Sequence, residues 1–373
     1  MIRNAIRLGR VGDIEIGLDY SWLVVFVLVV WTLTAHYFPS TYPDWAGSTY
    51  WIVGILTSLL FFASVIAHEL GHSLVAVRVG LPVASITLFI FGGVAQLGRE
   101  PDRAIHEFWI AIAGPAVSVV LGILFAALAT LSADPTVPLA ALAGWLGYIN
   151  LALAAFNFIP GFPLDGGRVF RAALWGLTGD LLRATRVATI VGRGVGYAFM
   201  LLGIVLVFDG NLWNGLWLVF IGWFLEKAAS TSYEQLSLRE SLSDLTVERL
   251  AHRDLPEVTP DEALNRVVDD HILETGRRFL AVVDGDRLLG IVTLHRLRDV
   301  PREEWPHRRV EDAMLPRDQV VTVAPDTPLY DVLTHLSTDG VNQVAVLDGD
   351  RFLGIVSRDQ VVDFMRARAE LGI

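Results

Sequence analysis

The chain contains no cysteine. Disulfides, thiol nucleophiles and thiolate zinc sites are therefore excluded. Charge is scarce as well. Charged residues make up 18% of the 373, hydrophobic residues 53%, against about 25% charged in an ordinary soluble domain. That balance excludes a simple soluble enzyme and a disordered chain. Lysine occurs once, as Lys227, so arginine carries the remaining positive charge. No strong basic field is present, and nucleic acid is not an expected partner. The net charge of -11 is unevenly placed: from Ala228 onward 27 acids face 17 bases, while the preceding part holds 13 and 12. A hydrophobic, nearly neutral body is thus followed by an acidic, water-soluble tail.

The body reads as a polytopic α-helical membrane domain. A spanning helix needs about 20 mostly apolar residues. Six segments approach this, near residues 20–38, 51–79, 108–131, 139–160, 187–208 and 212–224, the last being short. Aromatic residues such as Tyr20, Trp22, Trp45, Trp51 and Trp145 gather near segment ends, as interfacial belts do. Arg3, Arg7 and Arg10 precede the first segment. Arg99 and Arg103 lie in the second connection, and Arg168, Arg171, Arg183 and Arg186 in the fourth. The odd connections carry neither arginine nor lysine. The positive-inside rule then puts the N-terminus and, after six crossings, the tail in the cytoplasm of a multi-pass cell-membrane protein. Arg193, inside the fifth segment, is expected to snorkel towards the interface.

The tail is an internal repeat. Val282–Thr293 and Val346–Ser357 match at an offset of 64 residues, each an Asp-Gly turn between apolar strands. Thr259-Pro260-Asp261 and Ala324-Pro325-Asp326 each open a helix upstream. The repeat resembles a tandem pair of CBS domains, α/β in fold. The expected division is a membrane domain 1–227, a linker 228–241, and CBS domains at 242–305 and 306–373. That resemblance implies either an adenine-nucleotide site or a module for homodimerisation or stability. In the family a Thr or Ser followed three residues later by Asp commonly grips the ribose. Here Thr293 is followed at that spacing by Arg296, and Ser357 by Gln360.

The chemistry lies in the second segment. His68-Glu69-Leu70-Gly71-His72 reads H-E-x-x-H. On a helix the two histidines share a face, so both imidazoles can reach one metal, and Glu69 can contact metal-bound water. Imidazole suits zinc, and a catalytic zinc needs three protein ligands plus an open position. The pattern follows the uncharged run 51–67, where ionisable groups are costly and usually functional. Downstream, Asn157-Phe158-Ile159-Pro160-Gly161-Phe162-Pro163-Leu164-Asp165-Gly166 holds Asp165, the sole acid between Asp134 and Asp180. Asp165 falls on the same side of the membrane as His68 and His72, as either a third ligand or a turn residue.

Together, H-E-x-x-H within a span and N-x-x-P-x-x-P-L-D-G resemble the site-2 protease family of intramembrane zinc metalloproteases, in its compact form with a C-terminal CBS pair. The resemblance implies one zinc held by His68, His72 and Asp165, with Glu69 as the general base. It implies a substrate-binding role for Asn157, whose alternative is a helix-interior hydrogen bond. Residues 85–97, including Phe91-Gly92-Gly93-Val94, form an expected β-hairpin, either structural or presenting Gly92 and Gly93 to an unwound substrate strand. Ala113-Gly114-Pro115 resembles the family's Gly-Pro segment; an Asn common nearby is replaced by Ser118, and Gly114 reads as close helix packing. The expected function is hydrolysis of a peptide bond in a transmembrane protein substrate within the lipid bilayer. The rival expectations are a CBS-regulated transporter and an inactive relative that only binds membrane proteins.

Overall fold

The computed structural model describes residues 5–371 except 91, 132–133, 244, 252–256, 277 and 339–340. Phe91, expected in the β-hairpin, lies outside the described residues. The chain forms two compact units, Met1–Gln235 and Leu236–Ile373.

The first unit opens with two strands, β1 (Ala5–Val11) and β2 (Ile14–Asp19), joined at Gly12, whose φ of +60° favours glycine. β2 pairs in parallel with β3 (Val83–Phe89), which pairs antiparallel with β4 (Gly92–Leu97). The expected hairpin is thus half of a four-stranded sheet ordered β1-β2-β3-β4. The physical reason is burial. Ile14 enters a core with Ala76, Leu81, Val83, Ile86 and Ile110, which β3 and β4 alone would leave open.

α1 (Tyr20–Thr32), a π-helical turn (Leu33–Tyr37) and α2 (Phe38–Thr41) make one continuous apolar helix. Its start is capped by Asp19, which accepts from the Ser21 amide at 2.9 Å and the Ser21 hydroxyl at 2.6 Å. Those bonds hold the Asp19 carboxyl below its ordinary pKa. α3 (Gly47–Arg78), α4 (Ala104–Thr130) and α5 (Pro138–Asn157) follow. α6 (Asp165–Thr178) is an amphipathic helix within the expected fourth connection. α7 (Leu181–Phe208) and α8 (Leu212–Ser243) complete the unit and lead out of it. α4 packs against α3, α5 and α6, which makes it the central helix.

Among the described residues five helices are long and apolar enough to cross a membrane: Tyr20–Thr41, α3, α4, α5 and α7. The sixth expected segment falls short because only Leu212–Leu225 of α8 is apolar, about 21 Å at 1.5 Å per residue. That half nevertheless packs tightly on α7. Gly203 meets the backbone of Gly215, and Gly196 that of Gly222, the close approach small residues allow between membrane helices. Arg193 has partners within the unit: its Nε donates to Glu226 Oε1 of α8 at 3.0 Å and its guanidinium to the Tyr197 hydroxyl at 3.1 Å. Residues 228–241, expected as a linker, lie within α8.

The second unit is built around a seven-stranded sheet. In chain order its strands are β5 (Glu257–Val258), β6 (Phe279–Asp284), β7 (Arg287–Thr293), β8 (Leu315–Pro316), β9 (Thr322–Val323), β10 (Gln343–Asp348) and β11 (Arg351–Ser357). The sheet order is β5-β6-β7-β11-β10-β9, with β8 on β7. The repeat is visible in the pairing. Each copy has an antiparallel hairpin with one register shift, β6–β7 and β10–β11, and a short parallel strand beside it. Ala281, Val283, Leu288 and Ile291 of the first copy share a core with Ala345, Leu347 and Ile355 of the second. Neither copy closes its apolar face alone, which is why the repeat is tandem.

Candidate active site

His68 and His72 are four residues apart near the C-terminal end of α3, on one face, and both are buried. Asp165, 97 residues after His68, starts α6. Gly166 and Gly167 make that start possible: a Cβ on Gly166 would stand 2.4 Å from the Phe158 carbonyl oxygen, and one on Gly167 2.3 Å from the Gly161 carbonyl carbon. The first turn of α6 therefore lies directly against the Pro/Gly turn after α5. Asp165 Oδ2 is 3.2 Å from His68 Nε2 and 3.2 Å from His72 Nε2, and the two imidazole nitrogens are 3.2 Å apart.

This triangle fits a metal. Tetrahedral zinc with bonds of about 2.0 Å separates its ligand atoms by about 3.3 Å. The outer contacts agree. His72 Nδ1 lies 2.6 Å from the Ile110 carbonyl oxygen, an acceptor only, so Nδ1 carries the proton and Nε2 presents a lone pair. His68 Nδ1 meets Ser118 Oγ at 2.9 Å, a hydroxyl able to accept in the same way. Converging lone pairs on two imidazoles and a carboxylate are repulsive without a cation between them. Among the described residues these three form the only such ligand group. Three protein ligands is the number a catalytic zinc site would use.

α4 lines the site. A Cβ on Gly114 would stand 2.1 Å from His72 Nε2 and 2.7 Å from His68 Nε2. Gly114 is therefore more than a helix-packing residue: its missing side chain leaves room for the imidazoles. Pro115 has no N–H to donate to the Ala111 carbonyl, one residue beyond the Ile110 carbonyl that accepts from His72. Ser118, noted in the sequence only as a departure from the expected Asn, is the partner of His68.

Glu69 is half-buried, and among the described residues its side chain makes no hydrogen bond. It lies against β4: a Cβ on Gly93 would stand 2.4 Å from Glu69 Cγ. β4 pairs only with β3 among the described residues, so its other edge carries no strand there. Gly92 adopts φ +129° with open space at its Cβ direction. Asn157, the last residue of α5, is half-buried and makes no side-chain hydrogen bond among the described residues. The helix-interior hydrogen bond considered for it is absent. The structure thus joins His68, His72 and Asp165, and Glu69 with Gly93, but among the described residues shows no contact tying Asn157 or Gly92 to that triangle.

Sequence reasoning missed one buried ionic group, Glu107 of α4 with Arg171 of α6. The available signal was spacing: Glu107, Gly114 and Ser118 fall on one helical stripe.

In the second unit a cavity of about 680 Å³ spans both repeats, lined by Arg278, Thr293, His295 and Arg298 of the first and by Ser357 and Arg358 of the second. Thr293 Oγ accepts from the Arg296 amide at 3.4 Å. Ser357 and Gln360 close a reciprocal cap, with bonds of 2.7 and 3.3 Å. The positions where an acid would grip a ribose are thus taken by helix capping and by an arginine.

Residues 56–138 and 132–203 match peptidase family M50, and residues 247–303 and 310–367 each match the CBS domain. Zinc metalloprotease sll0528 of Synechocystis sp. is 34% identical over 99% of this chain and 97% of its own length. Zinc metalloprotease Rip3 of Mycobacterium tuberculosis is 37% identical over 96% of this chain and 92% of its own. Among solved structures, the site-2 protease from Methanocaldococcus jannaschii covers 61% of this chain and 94% of its own, at 29% identity and a TM-score of 0.42.

Proposed function

Because this chain belongs to peptidase family M50 and is a site-2-type zinc metalloprotease, we propose that it hydrolyses a peptide bond inside a transmembrane segment of a membrane-bound protein. The observation that carries this is the 3.2 Å triangle of His68, His72 and Asp165, set among helices apolar enough to cross a bilayer.

His68, His72 and Asp165 would hold the metal. The metal held there would supply Lewis acidity, making water more acidic and polarising the scissile carbonyl. Glu69 takes the proton of the attacking water and returns it to the leaving amine. A helical substrate shields its own carbonyls, so it must unwind first. The edge of β4 away from β3 would offer it main-chain partners, and the missing side chain of Gly93 leaves room for Glu69 against the strand. Asn157 and Gly92 are kept as substrate-binding residues on the family resemblance alone, and burial of the site between α3, α4 and α6 restricts water there.

The arginine distribution supports an N-terminus and tail in the cytoplasm, with the apolar half of α8 as the sixth crossing beside α7, and cleavage near the cytoplasmic end of the substrate segment. We take 1–227 as the protease part, 228–241 as a helical connector, and 242–305 and 306–373 as the two CBS domains. The tail regulates the protease or dimerises it. A route for regulation is α8 itself: its Ala229 packs with Ala188 on Phe162, three residues before Asp165. An adenine nucleotide is a weak candidate ligand, given Arg296 and Gln360.

The test uses the full chain in zinc-loaded proteoliposomes with a reporter transmembrane segment. Wild type is expected to cut within the segment. Glu69→Gln is expected to keep its zinc and lose at least about 100-fold in rate. Robust turnover by Glu69→Gln sinks the base, and zinc flux without cleavage would favour a transporter.

A further inference from the structure

Glu107 is wholly buried in the first turn of α4, and the reaction proposed above does not use it. It heads a stripe on α4 that continues through Ile110, Gly114 and Ser118. Every other member of that stripe touches the histidines: the Ile110 carbonyl meets His72, Ser118 meets His68, and Gly114 borders both rings. Glu107 faces instead α6, the helix that begins with Asp165.

Arg171 of α6 binds it there. Its Nε donates to Glu107 Oε1 at 2.7 Å, and its Nη2 donates to the same oxygen. Arg168 Nε lies 3.9 Å from that oxygen. The Arg171 guanidinium also lies 5.0 Å over the ring of Phe162, in the turn that leads into Asp165. One side chain therefore grips α4 and the turn that delivers the third ligand.

A buried ion pair is a poor stabiliser, since an apolar pair of similar volume often serves as well. What it supplies is direction, because a guanidinium is a rigid, planar donor. α4 holds the outer contacts of both histidines, while α6 carries the aspartate. The distance between the two helices decides whether the triangle closes. We propose that Glu107 and Arg171 form a positioning pair that holds Asp165 against His68 and His72 and thereby sets metal affinity. The proposal rests on the reading of that triad as a zinc site.

The test measures zinc affinity of the full chain in detergent by chelator competition, alongside thermal melting of the metal-free form. The variants are Arg171→Met, Arg171→Lys, Glu107→Leu and the double Glu107→Leu/Arg171→Met. Arg171→Met is expected to weaken zinc binding about 10-fold, the low end of the cost of losing a hydrogen bond to a ligand, because Arg171 acts through the helix that carries Asp165. Arg171→Lys keeps the charge without the planar fork and should also bind zinc more weakly. The double variant leaves no buried unpaired charge, so its melting temperature should return towards wild type while zinc affinity stays low. Should zinc affinity return with the melting temperature, the pair is only structural and the proposal falls. Unchanged affinity in a folded Arg171→Met overturns it equally. His68→Ala, run in parallel, separates the two readings: zinc binding that ignores His68 overturns the metal site and this proposal together.

Discussion

Gly114→Ala is the sharpest test of the site, because it adds one methyl group where the structure has no room. The new Cβ would stand 2.1 Å from His72 Nε2 and 2.7 Å from His68 Nε2. An ordinary contact needs about 3.5 Å, so His72 must retreat by about 1.4 Å. Metal–ligand distances tolerate about 0.2 Å. Losing an outer contact alone costs about 10–100-fold in metal affinity. Displacing a ligand should therefore cost at least about 100-fold, or about 2.7 kcal/mol. Global unfolding is not the expected route, since alanine is the better helix former by about 1 kcal/mol. The expected result is little zinc on the purified variant, with a metal-free melting temperature near that of wild type. Gly144→Ala is the control: its nearest neighbour would be Ala129 Cβ at 3.9 Å, and zinc content should not change. Elemental analysis of zinc per chain with chelator competition reads both. Full zinc with undiminished chelator resistance in Gly114→Ala would refute the site as described. Loss of zinc together with a collapsed metal-free melting temperature would refute the claim that the effect is local.

Two further substitutions separate the base from the metal. Gly93→Ala would press a methyl to 2.4 Å from Glu69 Cγ. It should retain zinc but lose about 100-fold in turnover, as a misplacement of about 1 Å can, and a rate equal to wild type in a cleavage assay would deny β4 its place beside the base. Ser118→Ala removes the partner of His68 Nδ1 and should weaken zinc binding about 10–100-fold. Ser118→Thr keeps the hydroxyl and should restore most of that affinity in the same competition assay.

Local and long-range features differed in how far they could be read in advance. The H-E-x-x-H spacing needs only one helical turn, so it put both imidazoles on one helical face, with Glu69 between them in sequence, before any fold was known. The repeat at an offset of 64 residues likewise implied two similar α/β copies, and the shared core of the copies explains why neither stands alone. The sheet was only half legible. β3 and β4 stand out between two apolar runs, whereas β1 and β2 lie at the N-terminus, and the alternation of Ile14, Ile16 and Leu18 has meaning only once β3 is there to pair with it. The sixth crossing was ambiguous for a related reason: a short apolar run becomes a packed helix only where Gly196 and Gly203 of α7 receive it.

The residue pattern by itself determined the membrane character, the two histidines on one face, the nearby carboxylate and the tandem repeat, because composition and short-range helical geometry do not depend on the rest of the chain. Only the tertiary structure decided that Asp165 closes the triangle, that Gly114 leaves space for it, that Ser118 and Ile110 orient the imidazoles, and that Glu107 meets Arg171. Each of these joins residues from 38 to 97 positions apart, and helix packing around α4, which no local spacing encodes, brings them within bonding distance.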